Sequence, residues 1–596
     1  MNEEPKSIWK KSFTGRPAVV VWGAVLVFTI LLGGFIIALT SYSGPMSSLL
    51  LVVGSIVAAA LFTCLVLIYV VWPLLRWLFW KHWRRTLFAL ACFATLIALF
   101  YAEENWRGKH DWEKFKREWG AKGEHFDYAS VIPPPVPDEQ NFAMTPIVAS
   151  CYESILDKGG HKLEKSNTNV VNRLAISREG DAGDWKNWPT NGYWLRQTIT
   201  DLRGWQQFYR ALAAKTNEFP IPAQPQSPAQ DVLLALSKYD STIEELRTAS
   251  QLPYSRFPLN YDVEHPFATL LPHLAPLKSL SQVLQLRAIA QLQAGETDKA
   301  LADVKLSLRL VESIRTEPFL ISELVRIAMF EIALQPIYKG LAEHRWSDEQ
   351  LVTLDAELAK LDFLADYQSA MRGEQAMTCA TIDFFSKKNS YQRYEALSGW
   401  GVLDDLGVTL WGQLKNKAKM VGIYLMPTGW FTQNKLFIAK GEQGWITGVI
   451  SPERHLASPQ KYREVEQAES GIYSRPARPW NFLAKEFYPA LGASGRKSSR
   501  EQISVDLART AIALERYRLA HGEFPESLDA LVPQFVAQVP HDVIGGQPLK
   551  YRREANGQFI LYSVGWNETD DGGVIGYRKG GTVPDFESGD WVWRYP

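Results

Sequence analysis

Residues 18–39 (AVVVWGAVLVFTILLGGFIIAL), 49–71 (LLLVVGSIVAAALFTCLVLIYVV) and 86–101 (TLFALACFATLIALFY) decide how the rest of this chain is read. The first two carry no charge. At 1.5 Å per helical residue each is long enough to cross a hydrocarbon core of about 30 Å. The third is shorter, roughly sixteen residues, near the lower limit for a span. Arg84 and Arg85 precede it, and Glu103 and Glu104 follow it. It reads as a third crossing, with a buried core helix as the alternative. A cleaved secretory signal is disfavoured, because the first stretch is too long for an h-region and a second follows almost at once.

Charge sets the expected orientation. Lys6, Lys10, Lys11 and Arg16 precede the first span, Arg76, Lys81, Arg84 and Arg85 separate the second from the third, and the loop 41–48 is uncharged. Positive-inside bias puts the N-terminus and the second loop in the cytoplasm, and everything from Ala102 onward outside it. Trp72, Trp77, Trp80 and Trp83 cluster at the cytoplasmic end, at headgroup depth. The expected location is a bacterial inner membrane with the large C-terminal part in the periplasm. Lys plus Arg and Asp plus Glu number 64 each, so no bulk attraction favours nucleic acid. Of four cysteines, Cys64 and Cys92 lie in apolar spans. Cys151 and Cys379 reach the outer compartment, where one disulfide or two buried thiols both suit the sequence.

Past the membrane, Trp112, Phe115 and Trp119 share one helical face. VIPPPVPDEQNFA (131–143) follows, and its prolines enforce an extended, stiff spacer. From 141 to about 470 the pattern is mostly helical. Residues 247–272 hold four prolines and read as a connection. Residues 274–341 form the clearest helical block, with Gly295 in a turn between two helices. That hairpin resembles one tetratricopeptide unit, and a single unit cannot bury its own face. FLISELVRIAMFEIAL (319–334) is apolar almost all round and also carries Glu323, Arg326 and Glu331. Glu323 and Arg326 are three apart, so an interior pair is expected. Ser347 and Gln350 form a capping box at the start of a helical stretch over 346–374. PTGWFTQNKLFIAKGEQGW (427–445) reads as a turn and a helix, with Trp430 and Phe431 as packing or as a binding surface. Residues 469–496 are rich in Pro, Gly and Ser and look like a linker.

From 498 the grammar changes. A helix over 500–520 ends at His521-Gly522, a short helix SLDALVP follows, and LKYRRE (549–554) and QFILYSVG (558–565) read as strands. ALERYRLAHGEFPESLDALVP, VPHDVIGGQPLKYR and FILYSVGWNETDD, in that order, resemble the globular head of type II secretion major pseudopilins, over about a sixth of the chain. The resemblance implies a calcium loop after the second strand, which maps onto Asn567, Asp570, Asp571 and Asp590. The pattern departs from the family at Asn567, where an aspartate is usual, and at Gly589, where a second acid is expected. The family's leader and N-terminal helix start do not precede Arg500, so the head is expected as a module on a different anchor. The middle of the chain looks like a group of uncharacterised bacterial membrane-anchored proteins, a likeness that brings no activity with it.

The predicted architecture is thus membrane-anchored throughout. A three-helix anchor (1–102) leads to a juxtamembrane helix and Pro-rich spacer (103–140). An all-α extracytoplasmic domain (141–468), a linker (469–497) and a small α+β pseudopilin-like domain (498–596) follow. HExxH, GxSxG, GxxxxGK[ST] and CxxC are all missing from the sequence. His161, His265, His273, His344, His455, His521 and His541 are scattered without ligand spacing. Asp404-Asp405 and Asp570-Asp571 are vicinal acids that point to different faces. The expected role is non-enzymatic: protein–protein interaction with an envelope or type II secretion-like assembly. The alternative is a periplasmic hydrolase with a site inside the helical domain.

Overall fold

The computed structural model describes residues 83–157, 160–165, 167–180, 189–261, 266–389, 392, 422, 425–473, 478, 480–487, 491–581 and 583–596. The apolar stretches 18–39 and 49–71, Cys64, His265 and Asp404-Asp405 lie outside them. The described chain is predominantly helical with a small β component, and it falls into two compact units, Met1–Glu103 and Glu104–Pro596.

Helix α1 (Trp83–Gly120) takes in the third apolar stretch and the aromatic segment after it without a break. The joining residues AEENWR contain no Pro or Gly, so nothing interrupts the hydrogen-bond ladder. Leu87, Phe88, Phe93, Leu96 and Leu99 are exposed, and none of the apolar window is buried. A core helix of a soluble body hides that surface, so the buried-core alternative is set aside. Among the described residues this is the one helix long and apolar enough to cross a membrane.

The body from Glu104 onward begins with α2 (Leu202–Ala213), α3 (Pro228–Leu236) and α4 (Asp240–Ala249). Helices α5 (Leu274–Ala294), α6 (Thr297–Ser313) and α7 (Leu320–Ala342) pack mutually at its centre. Gly295 ends α5 at φ +83°, a left-handed conformation that glycine adopts without penalty, so the expected hairpin turn forms. The stretch expected to be one helix from 346 is two, α8 (Asp348–Leu358) and α9 (Phe363–Lys387). Asp362 starts the second by accepting the N–H groups of Leu364 and Ala365 at 3.1 and 2.9 Å. Helices α10 (Thr428–Gly444), α11 (Pro459–Tyr473) and α12 (Gly492–His521) follow. The expected linker therefore contains the end of α11, a short helix Phe482–Phe487 and the start of α12.

The C-terminal strands are β1 (Lys550–Arg553), β2 (Phe559–Ser563), β3 (Ile575–Tyr577), β4 (Pro584–Gly589) and β5 (Trp591–Trp593). An antiparallel sheet has the order β1-β2-β5, with Tyr551 opposite Leu561 and Leu561 opposite Trp593. Strands β3 and β4 form a separate ribbon. Helix α12 is buried round most of its circumference, against α7, α8 and α9 as well as β2 and β5. Trp593 meets Trp194 at 5.1 Å between ring centroids, and Tyr338 Oη donates to the Arg594 carbonyl at 2.6 Å. One hydrophobic core thus runs from Tyr128 to Tyr595. A helix buried on every side needs more neighbours than a three-stranded sheet supplies, and the helical body provides them.

The Pro-rich stretch is extended, as its prolines require, but it lies on the body. Arg256 Nε donates to the Pro133 carbonyl at 3.0 Å. Asn141 both accepts the Arg256 N–H (2.8 Å) and donates to its carbonyl (2.7 Å).

Candidate functional site

Between the Pro-rich stretch, the segment after α4 and the helices α6 and α9 lies a cleft of about 810 Å³. Its apolar wall is Val131–Pro134 with Val136, and its polar wall comes from four arginines and three acids. Helical spacing builds that second wall. Arg309 and Glu312 are three apart on α6, and Asp366, Ser369 and Arg372 recur at the same interval on α9. Arg315 and Glu317 come from the α6–α7 turn.

Beneath the cleft sits Arg326, with no exposed surface. Its guanidinium reaches Glu312 (2.7 Å), Glu323 (3.2 Å), Asp366 (2.5 Å) and the Val311 carbonyl (3.2 Å), and it lies 4.8 Å from the Phe363 ring centroid. The expected pair is present, but as one edge of a four-residue cluster. Burial is the main cause that pushes Glu323 up to about 8, with Asp366 and Glu312 adding to it and Arg326 opposing. Asp366 is raised by the same burial, against the pull of Arg326 and Arg315. Glu312 and Asp366 are 14 and 40 residues from Arg326. Helical spacing sees only neighbours within a turn or two, so it missed both. The one available signal was Asp366 itself, an acid within the apolar FLADY.

A second buried pair joins His273 Nε2 to Glu317 Oε1 at 2.7 Å, with Ser322 Oγ donating to the other carboxylate oxygen at 2.5 Å. The imidazole stacks on Phe257 at 3.9 Å. His273 does not line the cleft.

The acidic loop brings three of its four expected residues together. Asn567 Nδ2 donates to Asp571 Oδ2 (2.8 Å), and buried Asp590 accepts from the N–H groups of Asp571 (3.2 Å) and Gly573 (2.6 Å). Asp570 turns away, accepting from Tyr562 Oη (2.9 Å) and pairing with Lys550 Nζ (3.3 Å). Calcium takes six to eight oxygens around one centre. Here both Asp590 oxygens face backbone donors and Asp570 faces a lysine, so this arrangement does not fit a calcium cage. Among the described residues no group of three or more His, Cys, Asp or Glu is arranged to hold a metal ion.

The scattered histidines are also placed. His455 Nε2 bonds Asp506 Oδ2 at 2.9 Å, and His541 Nε2 bonds the His455 carbonyl at 3.1 Å, beside a pocket of about 360 Å³. That hydrogen bond to Asp506 raises the His455 pKa, against burial. His344 bonds Glu515 at 2.9 Å. Trp430 is a packing residue: its Nε1 donates to Glu104 Oε2 at 2.9 Å, and Phe431 is buried. Cys151 and Cys379 are both buried free thiols, and burial pushes Cys151 up to about 12. Compared with known proteins, the chain matches no family model, no curated protein and no solved structure.

Proposed function

We propose that the chain is a membrane-anchored envelope protein of the bacterial inner membrane, whose periplasmic body docks onto other envelope proteins through the β3–β4 ribbon. The exposed apolar turns of α1 support the anchor, and the charge bias of the loops supports a cytoplasmic N-terminus. The observation that carries the docking is the ribbon itself. Strands β3 and β4 pair only with each other among the described residues, so each keeps an open edge. Val574, Tyr577 and Val583 beside those edges are 61, 45 and 44 % exposed. Open strand edges with apolar flanks are templates for strand addition by another chain. The likeness of 513–571 to pseudopilin heads makes a secretion-type assembly the favoured partner class.

A photo-crosslinking residue at position 577 of the full-length protein, irradiated in intact membranes, tests the docking. The expected result is a discrete adduct with an envelope protein, absent when the probe sits at exposed Val171 and lost when Val574→Glu is added. Equal labelling from 171 and 577 contradicts the reading.

A further inference from the structure

The cleft under the Pro-rich stretch holds two guanidiniums with no acid beside them among the described residues. Its other five charges have their partners within the protein. Asp366 takes Arg315 (3.1 Å), Arg372 grips Glu124 with two bonds (2.9 and 3.0 Å), and Glu317 takes His273. Glu312, the acid nearest Arg309, is bonded to Arg326. Among the described residues Arg256 and Arg309 have no carboxylate within ion-pair distance and bond only to carbonyl oxygens. Arg256 gives one N–H to Pro133, and Arg309 gives two, to Ser250 (3.2 Å) and Leu252 (2.9 Å). A guanidinium has five N–H donors, so most of theirs stay open.

Both planes are held in place. Arg256 lies over Tyr261 at 5.5 Å and Arg309 over Phe142 at 5.6 Å, and the carbonyl bonds tie Arg256 to Pro133 and Arg309 to Ser250 and Leu252. Ser255 lines the same cleft, and its buried Oγ has no hydrogen-bond partner among the described residues. Val131, Ile132, Pro133, Pro134 and Val136 give the cleft its apolar lining. Rigid forked donors, an orphan hydroxyl and an apolar wall in a space of this size match a small-molecule pocket.

We infer that this cleft binds a small organic oxyanion, an apolar body carrying one carboxylate or phosphate, with the charged group held by Arg256 and Arg309 and the body against Val136 and the prolines. The inference is independent of the ribbon docking, since the two surfaces share no residue.

Binding is measured on the full chain in lipid nanodiscs, by calorimetry with 4-phenylbutyrate, 4-phenylbutyl phosphate and the neutral 4-phenylbutanol. At least one oxyanion is expected to bind ten-fold or more tightly than the alcohol, and the ratio between the two identifies the head group preferred. Arg256→Gln and Arg309→Gln are each expected to weaken it at least ten-fold. Arg463→Gln, at an exposed ion pair with Glu568, is expected to leave it unchanged. Val136→Trp fills the apolar side without touching either arginine and is expected to block binding in a protein that melts normally. Equal affinity for alcohol and oxyanions, no oxyanion binding at millimolar concentration, or undiminished binding in Val136→Trp overturns the inference.

Discussion

Arg326 shows what one buried charge demands of a sequence. Replacing an isolated ion pair by well-packed apolar residues is often nearly neutral, whereas removing one partner costs about 3–5 kcal/mol. Here Arg326→Met leaves buried Glu323 with no cation and leaves Glu312 and Asp366 with Arg315 alone, so a loss of about 3–5 kcal/mol is expected in chemical denaturation. Replacing Glu323 along with it is expected to recover only part, because two acids still face the vacancy. A wild-type denaturation midpoint for Arg326→Met contradicts the cluster. Glu374 offers a pH test. Burial raises its carboxyl from 4.5 to about 7, against a hydrogen bond from the Leu320 backbone. The folded state thus holds the proton more tightly than the unfolded one. Its contribution is complete below pH 4.5 and lost as pH rises toward 7, on the order of 3 kcal/mol. Glu374→Gln is expected to flatten that part of the stability–pH curve, and an unchanged slope rules the residue out. The pair 323/326 was legible from helical spacing. Asp366, Glu312 and the unpaired arginines were not, because distant segments bring them together.

Among the elements, α1 and α10 meet more closely than side chains allow. A Cβ on Gly429 would lie 2.1 Å from the Glu104 carbonyl, and one on Gly108 would lie 2.4 Å from the Gly429 carbonyl. The same contact caps α10 from outside its own sequence: Asn105 Oδ1 accepts the Gly429 N–H at 2.7 Å and the Thr428 hydroxyl at 3.0 Å. Burial opposes ionisation of Glu104, but hydrogen bonds from Gln433, Arg107 and Trp430 hold its carboxyl below the usual range. Gly429→Ala is expected to cost at least about 1–3 kcal/mol, because the obstructing atoms, Glu104 O and C and Asn105 Cα, are all backbone. Limited proteolysis within 104–120 checks it, with faster cleavage in the variant expected and an unchanged pattern contradicting the joint. Most helices were legible from their apolar period and their caps, Ser347 and Gly295 among them. The N-terminus of α10 was not, since its cap lies 324 residues away in the chain.

At the scale of the molecule, the largest core of the body from Glu104 to Pro596 runs from Tyr128 to Tyr595, and α12 lies within it. The change of grammar at 498 was legible, yet it falls inside α12 and marks no seam, because Ser499, Glu501 and Asp506 are buried among the helices before them. The envelope role proposed for this body depends on its lying across the membrane from the N-terminus. Alkaline phosphatase, active only outside the cytoplasm, fused after Pro596 of the full chain tests that placement, with fusions at Thr14 and Lys81 as inside references. Activity is expected from the Pro596 fusion alone. An inactive Pro596 fusion, made at the same level as the references, would place the body in the cytoplasm and remove the basis for an envelope role.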